Sequence, residues 1–132
     1  MGSFIGLQRE HAHGPAGWRT HLIVTMASAM FVMAVKEVGG SVADMSRVIQ
    51  GVAVGVGFIG AGAIFKSPAD SHRSHNKGLT TAASVWLTAA VGIAVGAGSI
   101  WLPLVGSVMG WFTLGYLKQL EKRQDNQDPP RD

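Results

Sequence analysis

Arg9 and Glu10 stand side by side, and Arg19 and His21 follow at the start of a long apolar run. An ionisable group at or inside a membrane is expensive unless paired, which makes Glu10, Arg19 and His21 functional candidates. The competing account is a solvated loop in which Arg9 and Glu10 meet lipid headgroups. Two histidine pairs, His11-x-His13 and His72-x-x-His75, have the side chains of a transition-metal site, but nothing fixes one loop against the other. A magnesium site would need carboxylate oxygens and waters. The two best-placed acids, Glu10 and Asp44, fall on opposite sides of the membrane in the topology derived below and cannot share an ion. Glu10 alone is kept as a candidate ligand, and no metal site is assigned. No nucleophile, base and orienting acid fall on one side at an interpretable spacing, so an enzyme is not expected. The absence of cysteine removes disulfides, thiolate metal sites and thiol nucleophiles.

The elements that must position these residues are membrane helices. The chain of 132 residues is 47% apolar and only 14% charged, against about 25% charged in an ordinary soluble domain. Charge-free runs cover residues 20–35, 48–65 and 78–117, the last long enough for two spans with a break near Gly98, Ser99 and Pro103. The reading is an all-α polytopic transmembrane bundle. It has four complete spans (Thr20 to Val35, Val48 to Phe65, Leu79 to Gly98, Trp101 to Leu117) and an amino-terminal helix stub, Met1 to Leu7. Residues 1–117 form the membrane domain, and 118–132 form a polar, disordered tail.

Glycines mark the contact faces. Gly51, Gly55 and Gly62 share one side of the second span, and Gly57 and Gly60 lie nearly opposite, so that span is expected at the centre of the bundle, gripped from both sides. The third span carries Thr80, Ser84, Thr88, Gly92 and Gly96 at intervals of four. This stripe is read as close packing with hydroxyls bonded back to their own helix, in preference to a polar seam facing Gln50. The last span has Gly106-x-x-x-Gly110. Gly55-Val-Gly57-Phe-Ile-Gly60 matches a dinucleotide-binding pattern, but it sits in mid-helix without the strand and distant acid that such a site requires.

Orientation follows from the basic residues. Nine (Arg9, Arg19, Lys66, Arg73, Lys77, Lys118, Lys122, Arg123 and Arg131) fall on one side, and only Lys36 and Arg47 on the other. The richer side, with the carboxy terminus, is expected in the cytoplasm. These bases flank apolar runs and do not line a polar face, so the net charge of +3 does not imply nucleic acid.

Several strings together resemble the MgtC/SapB family of bacterial inner-membrane proteins. They are Gly6-Leu7-Gln8-Arg9-Glu10, Ala16-Gly17-Trp18-Arg19-Thr20-His21, Asp44-Met45-Ser46-Arg47, GVGFIGAGAIF from Gly55 to Phe65, and GLTTAASVW from Gly78 to Trp86. Order and spacing fit across about residues 5–98. Family members usually have a full helix before the Arg-Glu pair, where this chain has only MGSFIGL, and the expectation is a late start or a truncated form. Met45 replaces a common proline, and the soluble carboxy-terminal domain of some members is not matched.

The resemblance implies an inner-membrane protein linked to magnesium homeostasis or to adaptation to magnesium limitation. It would act through membrane-protein partners, an ATPase among the candidates, or through a second copy of itself. The alternative is a transporter or channel for magnesium or another cation. Mg2+ enters as a ligand or substrate, and no other cofactor is implied. Carried over residue by residue, the positions expected to matter are Arg9, Glu10, Arg19, Thr20, His21, Asp44, Arg47, Thr80 and Thr81. Gln50 joins them as the one strongly polar side chain of the glycine-rich span.

Overall fold

The structure is a computed structural model. It describes residues 16–65 and 72–125, with side chains over 16–65 and 78–116. Arg9, Glu10, His11, His13 and the amino-terminal stub lie outside the described residues, as do the side chains of His72 and His75. Four helices follow one another: α1 (Trp18–Glu37), α2 (Val42–Phe65), α3 (His72–Gly96) and α4 (Trp101–Asp125). Among the described residues three helical segments are long and apolar enough to cross a membrane, namely Trp18–Glu37, Val42–Phe65 and Gly78–Gly96.

Local chemistry sets the boundaries. α1 ends in a Schellman turn at Gly39, whose φ of 69° suits a residue without a Cβ. There the amides of Gly39 and Gly40 bond the carbonyls of Lys36 and Val35. α3 ends in the same way at Gly98, φ 88°, with the amides of Gly98 and Ser99 on the carbonyls of Val95 and Ala94. Lys36 Nζ crosses from α1 and donates to the free carbonyl of Ala97 at 2.5 Å, a cation placed where the α3 dipole is negative.

α2 begins at Val42, ahead of the apolar run that starts at Val48, because Ser41 and Asp44 form a capping box. The Ser41 amide donates to Asp44 Oδ2 at 2.9 Å, and the Asp44 amide donates to Ser41 Oγ at 3.2 Å. α3 likewise begins at His72, inside what the sequence reads as a loop from Lys66 to Lys77. α4 runs on to Asp125, beyond the end at Leu117 that the sequence suggests for the last span. Its continuation, KQLEKRQD, consists mostly of strong helix formers.

A correction concerns the centre of the bundle. The hub is α3, which packs against α1, α2 and α4, whereas α2 packs only on α1 and α3 among the described residues. The apolar window of α3 is 44% buried, and that of α2 only 11%. Small residues permit close approach, but they do not choose which helices approach. On α3 the stripe is used: Gly92 lies directly against the carbonyl of Thr25, and Gly96 against that of Ala29, so α1 seats on α3 almost backbone to backbone. Gly60 meets Ala82, Gly106 meets Val91 and Gly110 meets Leu87. Gly51, Gly55, Gly57 and Gly62 have open space where a Cβ would stand, so among the described residues α2 is gripped from one side only.

A buried histidine between two membrane helices

α1 starts at Trp18 after Gly17, which offers no side chain to cap the helix. His21, one turn in, supplies a ring instead. Its Nδ1 lies 2.9 Å from the Gly17 carbonyl oxygen. A carbonyl only accepts, so Nδ1 carries the proton of this bond and Nε2 is directed at the neighbouring helix. Nε2 lies 3.2 Å from Ser84 Oγ on α3. The single Ser84 hydroxyl proton serves either the Nε2 lone pair or the Thr81 carbonyl 2.7 Å away, and Thr88 Oγ1 donates to the Ser84 carbonyl at 2.8 Å. His21, Thr81 and Thr88 are wholly enclosed. In lipid an unpaired polar group has no water to turn to, so this chain of bonds lets a histidine sit between two spans.

The stripe on α3 therefore serves two purposes along its length. Near Thr81 and Ser84 it presents a hydroxyl to His21, and near Gly92 and Gly96 it presents bare backbone to α1. Thr80, next to Thr81, is half-buried. Gln50 is exposed on α2, away from the stripe, whose Gly92 and Gly96 face α1.

The other sequence candidates separate into two groups. Arg19 is exposed, with its guanidinium carbon 5.7 Å from the centre of the Trp18 ring, and Thr20 beside it is half-buried. This cation over an aromatic face suits a membrane interface. Asp44 and Arg47 lie at the far end of the bundle, where Asp44 takes both the amide and the hydroxyl of Ser41, the latter at 2.6 Å. Arg47 Nη1 is 3.6 Å from the other Asp44 oxygen and leaves most of its side chain exposed. His21 and Asp44 thus belong to different ends of the fold. Among the described residues no group of three or more His, Asp or Glu side chains is placed to hold a metal ion.

Sequence reasoning selected His21 and Ser84 separately, one as a membrane-edge titratable group and the other as a packing residue, and missed their bond. The available signal was that the stripe carries hydroxyls at Thr80, Ser84 and Thr88, each able to answer a polar group on a facing helix.

An all-helical chain with long apolar spans, a buried polar tie and glycine-mediated packing is a membrane protein. The chain belongs to the MgtC family, whose model matches residues 1–123. It is 42% identical to protein SrpB of Synechococcus elongatus over 92% of this chain and 71% of that one. It is 39% identical to the Escherichia coli K12 protein named "Putative magnesium transporter YhiD", over 94% of this chain and 59% of that one. To protein MgtC of Brucella abortus it is 40% identical over 76% of this chain and 40% of the relative. The chain thus spans between two fifths and about seven tenths of the relatives it resembles. No solved structure matches it.

Proposed function

We propose that this chain is a multi-pass inner-membrane protein of magnesium homeostasis or adaptation to magnesium limitation, acting by docking on other membrane helices and not by chemistry of its own. The observation that carries this reading is the distribution of polar and apolar surface. His21, Ser28, Thr81, Ser84 and Thr88 are enclosed within the bundle, and Gln50 is the strongly polar side chain that the apolar run of α2 leaves exposed. The outer face of α2 is broad and apolar, with Val54 77%, Phe58 83% and Phe65 87% exposed. α4 adds Trp101, Leu102, Val108 and Phe112. A conducting path would reverse this arrangement, with polar groups facing a cavity.

In this reading α4 completes a fourth span, the nine-to-two bias of basic residues holds the carboxy terminus in the cytoplasm, and the partner is a second copy or another membrane protein such as an ATPase. Because the chain has no cysteine, Phe58→Cys introduces a single thiol on the exposed face of α2. Thiol crosslinking in native membranes should give a discrete adduct above the monomer, with its partner identified by mass. Monomer alone, at expression levels matching the wild type, would remove the basis for the proposal.

The second reading is a magnesium or other cation transporter, with Mg2+ as cargo. It is favoured by the magnesium transport named for the YhiD relative, and by the open glycines of α2, around which several copies could assemble a path absent from one chain.

A further inference from the structure

Between α1 and α2 runs a groove of about 580 Å³. Its walls include Phe31 of α1 and Val52 and Ile59 of α2, its floor is recessed at Gly51 and Gly55, and Arg47 stands at one end. Phe31, Gly51, Gly55 and Ile59 are exposed, so the groove opens sideways. Leaving it to water would solvate a nearly wholly apolar surface at membrane depth, so within a bilayer it takes up hydrocarbon.

We infer that this groove is a binding site for one anionic phospholipid, an acyl chain lying over Gly51 and Gly55 and the phosphate on Arg47. Two observations select this occupant over a partner helix. The first is length: from Arg47 to Ile59 the groove follows α2 for about 18 Å at 1.5 Å per residue. That is close to the ~15 Å of one leaflet and well short of the ~30 Å that a spanning helix would need. The second is charge. The side chain of Arg47 is 79% exposed at the groove's end, and its one described acidic neighbour, Asp44 Oδ1, is 3.6 Å away, too long for a hydrogen bond. The other Asp44 oxygen is engaged by Ser41. The guanidinium therefore keeps its planar set of donors for a phosphate, a group it binds in bidentate fashion. The Val54, Phe58 and Phe65 face assigned above to a protein partner is not part of the groove lining, so the two proposals fail or stand separately.

The full chain is reconstituted in vesicles of equal phosphatidylglycerol and phosphatidylcholine, extracted into mild detergent and weighed intact by native mass spectrometry. One phosphatidylglycerol should be retained per chain in preference to phosphatidylcholine. Arg47→Gln should lower that preference roughly five- to tenfold, the usual order for one charge-assisted phosphate contact. Gly55→Leu should abolish retention of both lipids by filling the floor, where a Cβ meets nothing within 4 Å and the fold is left intact. Three results would overturn the site: equal retention of the two lipids by the wild type, retention unchanged in Gly55→Leu, or a second protein chain in place of the lipid. If Gly55→Leu does not fold, the lipid preference of Arg47→Gln decides alone.

Discussion

Replacing a glycine with alanine in this protein should have opposite effects on its two glycine-rich helices. At Gly92 the new Cβ would meet the carbonyl oxygen of Thr25 far inside contact distance, Ser28 Cβ at 2.9 Å and the carbonyl carbon of Thr25 at 3.1 Å. Ordinary contact begins near 3.4 Å. α1 would thus have to withdraw from α3 by about half an ångström at Ser28 and further at Thr25, and backbone cannot rotate aside as a side-chain tip can. Overpacking of this kind costs about 1–3 kcal/mol. Against it stands the gain of up to ~1 kcal/mol from replacing glycine inside a helix. Gly92→Ala should therefore destabilise by about 1–2 kcal/mol net. At Gly57 the same Cβ meets nothing within 4 Å, so only the helix gain remains and Gly57→Ala should be neutral or stabilising by up to ~1 kcal/mol. Thermal unfolding in one detergent, followed by tryptophan fluorescence or by loss of monodisperse protein, compares the pair. Gly92→Ala as stable as the wild type, or Gly57→Ala the less stable of the two, would refute the assignment of α3 as the packed helix and of α2 as the open one.

The tie between His21 and Ser84 gives a second expectation. His21→Ala should cost about 2–4 kcal/mol, from the cavity and two lost partners, and Ser84→Ala about 1 kcal/mol. The double variant should fall close to His21→Ala alone, a non-additivity that a thermal double-mutant cycle measures and that independent sites would not show. At the end of α3, Gly98→Ala should cost about 1–2 kcal/mol because φ is 88° there. In the same melting assay a neutral Gly98→Ala would contradict the Schellman turn.

The residues that announce helices were readable in the sequence because their signal is local. Charge-free runs located the spans, and the break near Gly98 and Ser99 marked a turn that the hydrogen bonds fill in. Ser41 and Asp44 carried a capping box that moves the start of α2 ahead of its apolar stretch, and it went unread while Asp44 was weighed as a possible ligand and as a family-motif position. What was not readable was the choice of partners. Val48 to Phe65 has the richest glycine content, so it was expected at the centre. Yet a glycine states only that something could come close, and the Thr80 to Gly96 stripe makes the same offer with hydroxyls that can also bond. The buried histidine illustrates the same limit: sixty-three positions separate His21 from Ser84, and no periodicity connects them.

In the proposed function this protein serves magnesium homeostasis by engaging other membrane helices and not by conducting the ion. Magnesium entry into sealed liposomes holding the purified, correctly oriented chain and an internal magnesium-sensitive dye tests it most directly. The account expects no flux above that of empty liposomes. Saturable flux that Glu10→Ala abolishes would contradict it and establish a transporter.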